Sequence, residues 1–177
     1  MKTTYFTATT LDGFIADEHD SLEWLFTQQI TDEGPLSHAD FIKDVGAIAM
    51  GATTYQWVLD HNARTGEAWP YDVPSWVFTH RDLAPTDGVT LTSAPVPEVH
   101  AAMAEAATGR DLWIVGGGDL AGQFADAGLL DEVIVSIAPV TLGAGRPLFP
   151  RRFDLSLVEH VRNGDFLCAR YAVSGPR

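Results

Sequence analysis

The chain has 177 residues, of which 46 % are hydrophobic and 20 % are charged. This length and composition predict one domain, residues 1–177, with a substantial buried core. The 24 acidic and 11 basic residues give a net charge of −13, which argues against a nucleic-acid partner because a phosphate backbone needs a basic surface.

The sequence carries no pattern for membrane insertion or secretion. No apolar run is long enough for a membrane span, and the N-terminus lacks the basic and then apolar order of a signal peptide. The single cysteine, Cys168, excludes an internal disulfide, and its strand-like context predicts a small buried hydrophobe. The histidines have no metal-ligand spacing. We therefore expect a cytoplasmic protein that holds no metal.

Apolar and β-branched runs predict eight strands. In chain order they are residues 2–10, 47–50, 75–79, 89–92, 112–115, 132–138, 155–162 and 166–173. Residues 24–26 are apolar but lack periodicity, so we expect them in a loop or short turn over the core. Residues 62–73 are polar, contain glycine and proline, and are predicted as a loop.

Capping and periodicity signals predict four helices between these strands. Ser37 is expected to cap the first, which runs to residue 44. Thr53 or Thr54 is expected to cap and open the second. Pro97 suits the first position of the third, which Gly109 ends. The fourth follows the glycine-rich stretch described below.

The alternation of strands and helices predicts parallel pairing through right-handed crossovers. The end of the chain differs, because two strand patterns flank Asn163-Gly164, a strong hairpin signal. We therefore predict an α/β fold of three layers, with a mostly parallel central sheet, an antiparallel C-terminal hairpin and helices on both faces.

The most informative stretch is residues 112–119, where four bulky residues are followed by three glycines. Leu120, Phe124 and Ala127 then recur at helical spacing, so the order is strand, glycine turn and helix. A helix N-terminus offers free backbone N–H groups to anions, and glycines let a phosphate approach the main chain. A tight turn alone needs one glycine, so three in a row favour phosphate binding.

The same order of elements occurs at Gly51, which ends a short buried strand and precedes the helix expected to start at Thr53 or Thr54. Two such junctions can hold the two phosphates of one dinucleotide.

Five stretches carry a family resemblance in their order along the chain. They are LDGFIA at 11–16, MGATTY at 50–55, FTHR at 78–81, IVGGGDLAGQF at 114–124 and PVTLGAGRPLF at 139–149. Together they cover nearly the whole chain. The sequence resembles the dihydrofolate-reductase-like superfamily and, within it, the reductase of riboflavin biosynthesis, the RibD C-terminal domain.

The resemblance implies that NADPH binds along the C-terminal edges of the parallel strands. It implies hydride transfer from the nicotinamide to a pteridine- or pyrimidine-like molecule, as in 5-amino-6-(5-phosphoribosylamino)uracil reductase. It also implies a homodimer, because members of this type commonly pair. The cofactor-binding residues carried over by position are Ala8, Ile15 and Ala16 beside the nicotinamide; Gly51, Ala52, Thr53 and Thr54 at the phosphates; Thr79, His80 and Arg81 near the 2′-phosphate; and Val115, Gly116, Gly117, Gly118, Asp119 and Leu120 at the pyrophosphate.

Departures from the family pattern modify these expectations. A basic residue often follows the glycine of the second stretch and pairs with the 2′-phosphate. Ala52 stands there in this chain, which leaves Arg81 as the main cation and the preference for NADPH over NADH open. Residues 34–36, at the place of the pterin-binding carboxylate of dihydrofolate reductases, contain no acid, so we do not expect dihydrofolate as substrate. The cysteine ligands of a zinc deaminase half are also missing.

Several side chains have both a functional and a structural interpretation. Asp12 could orient substrate or relay a proton, or it could form an Asx turn. Arg81 is a phosphate ligand or a solvated charge. Arg146, in a glycine-rich loop, could hold a substrate anion or be structural. Trp24 could flank a flat substrate, although packing is the simpler interpretation for both Trp24 and Trp57.

We therefore predict an NADPH-dependent reductase of the riboflavin-reductase type. It would reduce a C=N or C=O bond of a small heterocycle or carbonyl compound, with Asp12 or water as the proton source. The alternatives are a non-catalytic nucleotide-binding or regulatory module of the same fold, and a divergent dihydrofolate reductase.

Overall fold

A computed structural model describes residues 1–176, and Arg177 lies outside the described residues. The strands are β1 (Thr3–Thr10), β2 (Phe14–Ala16), β3 (Val45–Gly51), β4 (Ser75–Phe78), β5 (Val89–Thr92), β6 (Asp111–Gly116), β7 (Glu132–Ala138), β8 (Arg146–Pro147), β9 (Phe153–Asn163) and β10 (Phe166–Pro176). The helices are α1 (Glu23–Phe26), α2 (His38–Phe41), α3 (Ala52–Thr65), α4 (Val96–Ala106) and α5 (Gly118–Asp126), with a 3-10 turn at Ile42–Asp44 after α2.

Eight strands form one sheet in the order β5-β4-β3-β6-β1-β7-β10-β9. Every neighbouring pair from β5 to β7 is parallel, whereas β10 runs antiparallel to both β7 and β9. The short strands β2 and β8 form a separate antiparallel pair. The mostly parallel sheet with an antiparallel end is therefore confirmed.

The two faces of the sheet carry separate hydrophobic clusters, as expected for parallel strands covered on both sides. On one face, Tyr5 of β1 packs with buried residues of α4 and α5, including Met103 and Phe124. On the other face, the next residue of β1, Phe6, packs with Tyr55 of α3 and with Trp113. This alternation follows the two-residue period of a strand and produces the predicted three layers.

The start of α3 differs from the prediction of a threonine cap. Gly51 is the N-cap residue, and no side chain accepts a capping hydrogen bond there. Thr53 and Thr54 lie inside the first turn because the strand β3 ends directly at the helix. The loop predicted at 62–73 is also shorter than expected, because α3 continues to Thr65. Gly66, with φ +77°, ends the helix.

The turn of the C-terminal hairpin is shifted by one residue from the prediction. Asn163 pairs with Phe166, so Gly164 and Asp165 form the two-residue turn, with Gly164 at φ +60°. The buried side chain of Asn163 explains the shift, because it exchanges hydrogen bonds with the backbone of Thr31 at 3.1 Å and 3.0 Å. Asn163 thus anchors the loop that precedes α2.

Other predicted elements are found close to their expected positions. Ser37 caps α2 by accepting a hydrogen bond of 3.2 Å from the Asp40 N–H, as predicted. Residues 24–26 belong to the single turn α1, in which Trp24 is buried and Phe26 is exposed. Pro97 occupies the second position of α4, one later than expected. Among residues 1–176, no helix combines the length and apolar character needed to cross a membrane.

Candidate functional site

A cleft lies where β3 and β6 end and the helices α3 and α5 begin. Its volume is about 600 Å³. The lining residues are Thr7, Ile15, Ala16, Asp20, Leu22, Gly51, Ala52, Thr53, Thr54, Trp57, Phe78, Val115, Gly116, Gly117, Gly118, Asp119, Leu120, Gln123, Arg146, Pro147 and Pro150. The cleft brings together most of the residues predicted to bind a cofactor, and they come from both strand–glycine–helix junctions.

Two helix N-termini open into this one cleft without side-chain caps. Gly51 is the N-cap of α3 and Gly117 is the N-cap of α5, and neither terminus has a capping hydrogen bond from a side chain. The junctions are adjacent because Met50 is in register with Gly116 across β3 and β6. The first N–H groups of a helix have no partner within the helix, and the helix dipole adds positive potential. The cleft is therefore suited to an anion at each junction.

The three glycines of the second junction have different neighbours. A Cβ on Gly117 would lie 3.8 Å from Cδ1 of Ile15, an ordinary contact, whereas one on Gly116 would lie 3.3 Å from Oγ1 of Thr54. A Cβ on Gly118 would collide with the backbone carbonyl of Leu148. Gly118 is thus required by packing of the protein's own main chain. Gly117 leaves open space on its side of the cleft, whereas the lack of a side chain at Gly118 is already explained by packing. Phosphate binding at the three glycines stays a prediction.

Arg81 lies beside the first turn of α3. Its Nη2 donates to Oγ1 of Thr53 at 3.3 Å, and its backbone N–H donates to Oγ1 of Thr79 at 2.9 Å. Thr79, His80 and Arg81 do not line the cleft, yet the Arg81 hydrogen bond joins this segment to Thr53, which does. Within residues 1–176, Arg81 makes no ion pair with a carboxylate, so its charge remains available.

Two other arginines near the cleft are neutralised by acidic partners. Arg146 contacts both oxygens of Asp20, with Nε–Oδ1 at 2.6 Å and Nη2–Oδ2 at 3.2 Å. Arg151 reaches Asp119 at 2.7 Å and Asp126 at 3.0 Å. Arg146 lines the cleft as predicted, but the structure commits its guanidinium to Asp20.

Asp12, predicted as a catalytic and substrate-binding residue, does not line the cleft. Its carboxylate accepts hydrogen bonds from the hydroxyl of Thr10 at 2.6 Å and from the N–H groups of Leu142 and Gly143 at 3.1 Å and 2.7 Å. The Thr10 bond is the main cause that lowers the pKa of the Asp12 carboxyl. A carboxylate stabilised in its charged form is a poor proton donor near neutral pH. The geometry is that of an anchor between the first turn and the 140–143 loop.

Trp24 and Ala8 also lie outside the lining of the cleft. Trp24 is buried in a small cluster with Ala138, Phe166 and Cys168, and Ala8 packs against the same cluster. A buried indole in this cluster cannot flank a substrate in the cleft. The packing interpretation of Trp24 is therefore correct, and Cys168 is buried as predicted.

The structure adds cleft residues that the sequence did not suggest. They are Thr7, Asp20, Leu22, Trp57, Phe78, Gln123, Pro147 and Pro150. Helical spacing could have identified two of them, since Trp57 is three residues after Thr54 and Gln123 is four after Asp119. Asp119 and Gln123 are hydrogen-bonded at 2.8 Å, which is the main cause of the lowered pKa of Asp119. Thr7, Phe78 and Pro147 belong to the strands β1, β4 and β8, whereas Asp20, Leu22 and Pro150 lie in loops.

Residues 1–165 match the family described as the RibD C-terminal domain. The chain belongs to this family. The resemblance and the fold class expected from sequence are thus confirmed. The RibD C-terminal domain of this chain is 33 % identical over 150 residues to the uncharacterized protein YwjB of Bacillus subtilis strain 168, covering 84 % of this chain and 82 % of YwjB.

Solved structures of RibD-type proteins have the same fold. A Shewanella sp. PV-4 protein, assigned provisionally to riboflavin biosynthesis, aligns with a TM-score of 0.82 at 25 % identity, over 98 % of this chain and 99 % of that one. A Thermotoga maritima diaminohydroxyphosphoribosylaminopyrimidine deaminase/5-amino-6-(5-phosphoribosylamino)uracil reductase aligns with a TM-score of 0.66 at 17 % identity, over 97 % of this chain and 56 % of that one. This RibD C-terminal domain therefore has a riboflavin-biosynthesis-reductase-like fold.

Proposed function

We propose that the protein is an NADPH-dependent reductase that transfers hydride to a small heterocyclic, carbonyl or imine substrate. The observation that carries this proposal is the convergence of two uncapped helix N-termini, at Gly51 and Gly117, on one cleft. A dinucleotide has two linked phosphates, and two neighbouring helix starts are suited to hold them. The family match supports a reductase in general terms.

The residues present fit such a cofactor. Gly117 leaves its side of the cleft open, and a Cβ on Gly51 would find its nearest atom at 3.9 Å, so main-chain groups are accessible at both junctions. Arg81 lies next to Thr53 and has no carboxylate partner among residues 1–176, so its charge suits the additional phosphate that distinguishes NADPH from NADH. When bound, the nicotinamide supplies the hydride, because no side chain can.

The chain's own residues would position the reactants and exclude water. Ile15, Val115 and Pro147 place apolar surface in the cleft between the two junctions and the β2–β8 pair. The hydroxyl of Thr54 faces Gly116 and can orient a polar group there. Asp12 would stabilise the 140–143 loop, and through it the strand β8 that follows, so we assign it a positioning role and take water as the proton source.

We further propose a homodimer. The strand β9 is one of the two edges of the sheet, and its side chains Leu155, Leu157 and Val158 are 40 %, 56 % and 59 % exposed. An exposed apolar edge strand is a surface on which a second chain can pair, and soluble proteins rarely leave one uncovered.

The proposal is tested by titrating the purified protein with NADPH and then measuring NADPH oxidation with a panel of heterocyclic, carbonyl and imine compounds that includes dihydrofolate. We expect binding with turnover of at least one compound and none of dihydrofolate. Binding without turnover across the panel would favour the non-catalytic module, and turnover of dihydrofolate would favour the divergent dihydrofolate reductase. No binding of NADPH would refute the proposed function.

A further inference from the structure

Three aromatic rings form a stack at the cleft, which we call the aromatic wall: Phe26, Trp57 and His61. Trp57 and His61 lie one turn apart on α3 with ring centroids 4.8 Å apart and planes 13° apart. Phe26 of α1 lies over both, at 6.3 Å from Trp57 and 5.9 Å from His61, again with nearly parallel planes. Trp57 is the member of the wall that lines the cleft.

Phe26 and His61 leave one face of the Trp57 indole without an aromatic neighbour, and we call it the free face. Stacked rings are separated by about 3.5 Å, so two rings on opposite faces of a third would be at least about 7 Å apart. Phe26 and His61 are only 5.9 Å apart, and therefore do not sandwich the indole. Trp57 lines the cleft, and stacking of a planar group on an indole face that carries no ring is favourable.

The position of Trp57 separates it from the helix start. Trp57 lies four residues after Thr53, which corresponds to about 6 Å along the axis of α3. Leu22 also lines the cleft, four residues before Phe26. The free indole face therefore belongs to a part of the cleft built by α3 and the 20–26 segment, one turn along the helix from its anion-binding N-terminus.

All the charged side chains that line the cleft within residues 1–176 are already paired. Asp20 is paired with Arg146 through two contacts, and Asp119 is paired with Arg151, which lies outside the lining. The local field at Arg146 is negative beyond this pair, because Asp17 and Glu18 also act on its guanidinium. A second anion at Arg146 would have to displace Asp20 and remain beside the two other acids.

We propose that the substrate is an uncharged planar ring system that stacks on the free face of Trp57, and that Asp20 selects against substrates carrying a phosphate. This inference rests on the proposed function and specifies its substrate class. It differs from the phosphate-bearing substrate in the name of the Thermotoga neighbour, which shares only the fold with this chain. Besides Trp57, the lining of the cleft includes the apolar residues Leu22, Pro147 and Pro150, which suit a ring without charge.

The experiment compares uridine and riboflavin with their 5′-monophosphates as ligands, in the presence of saturating NADP⁺. Affinities are measured by calorimetry or ligand-observed NMR for the wild type and for Trp57→Leu, Trp57→Phe and Asp20→Asn. Trp76→Phe is the matched control, because Trp76 also carries an indole but does not line the cleft. Binding of NADP⁺ is measured first, so its absence counts against the proposed function and not against this inference alone.

We expect at least one uncharged ligand to bind, at least fivefold more tightly than its monophosphate. Trp57→Leu should weaken that ligand about tenfold and Trp57→Phe less, as expected for the loss of a stacking face. Asp20→Asn should raise the affinity of the monophosphate because it frees Arg146. The difference in affinity between the uncharged ligand and its monophosphate should therefore become smaller. If Trp57→Leu does not fold, Trp57→Phe and Asp20→Asn carry the test.

The inference is overturned if neither uncharged ligand binds, or if a monophosphate binds the wild type as tightly as its uncharged counterpart or more so. It is also overturned if Trp57→Phe and Trp76→Phe have equal effects on the uncharged ligand. An unchanged monophosphate affinity in Asp20→Asn would remove the selective role of Asp20.

Discussion

Arg81 and Thr53 are joined by a hydrogen bond of 3.3 Å from Nη2 to Oγ1 across 28 positions of sequence. The bond ties the segment after β4 to the first turn of α3, whose N-terminus opens into the cleft. Arg146 is paired with Asp20, and Arg151 with Asp119 and Asp126, whereas Arg81 makes no ion pair with a carboxylate of residues 1–176. Of these three arginines, Arg81 is therefore the one that we propose as the ligand of a cofactor phosphate.

Replacing Arg81 with alanine should weaken NADPH binding more than NADH binding. A lost charge-assisted contact to phosphate corresponds to a roughly tenfold or greater increase in Kd for NADPH. Titrations of both nucleotides with the variant measure this difference. Arg64→Ala is the control, since Arg64 is exposed at the other end of α3. Equal losses for NADPH and NADH would exclude Arg81 from the 2′-phosphate.

Substitution of Gly117 tests whether the junction between β6 and α5 binds a phosphate of the cofactor. Alanine should leave the fold unchanged, because its Cβ would lie 3.8 Å from Ile15 and the backbone φ of −87° is ordinary, and it should weaken NADPH binding only a little by crowding the phosphate. Aspartate should raise the Kd for NADPH by at least about tenfold through like-charge repulsion. Circular dichroism checks that both variants fold. NADPH affinity that is equal in the two variants would contradict phosphate binding at this junction.

Gly118→Ala should destabilise the protein although the neighbouring Gly117→Ala does not. The new Cβ would collide with the carbonyl of Leu148, and the carbonyl of Pro147 is as near as 2.5 Å. Overpacking against backbone costs about 1–3 kcal/mol. Thermal unfolding of the two variants side by side gives the comparison, and equal Tm values would show that the contact relaxes without cost.

Asp12→Asn should reduce stability at neutral pH but not in strong acid. Hydrogen bonding, mainly from Thr10, lowers the pKa of Asp12 in the folded state below its unfolded value. Its stabilising contribution is therefore complete above the unfolded pKa of about 3.9 and is lost as pH falls through the folded pKa. Tm measured from pH 7 to pH 2.5 should show a gap between wild type and variant that closes at the acidic end.

The same variant separates a positioning role from proton transfer. If Asp12 only anchors the 140–143 loop, Asp12→Asn should retain substantial kcat with an unshifted pH profile. A loss of kcat of about a hundredfold or more would instead support the interpretation of Asp12 as the proton donor.

Leu157→Lys on the edge strand β9 should shift a homodimer to monomer without unfolding it. Leu157 is 56 % exposed in the single chain, so lysine is tolerated there but would place a charge in a paired edge. Sedimentation velocity of wild type and variant measures the change. Leu11→Lys is a control for added charge, because Leu11 is also an exposed leucine but lies outside β9. A monomeric wild type would refute the dimer.

The sequence by itself identified the elements whose causes are local. Runs of buried residues defined the strands, Ser37 marked the start of α2, and the glycines at 51 and 116–118 marked both junctions. Because parallel strands must be covered on both faces, the same patterns also gave the layers and the parallel sheet. The two halves of the candidate cofactor site follow from these features.

Only the tertiary structure decided which side chains meet across long sequence separations. Asp12 and Gly143, Asp20 and Arg146, and Phe26 and Trp57 come together through loops whose paths no local pattern encodes. The same holds for Gly118, whose need for glycine arises from the carbonyl of Leu148 thirty positions away. Local propensity determines where a helix begins and which backbone groups it exposes, whereas charge pairing and ring stacking depend on distances that exist only after the chain has folded.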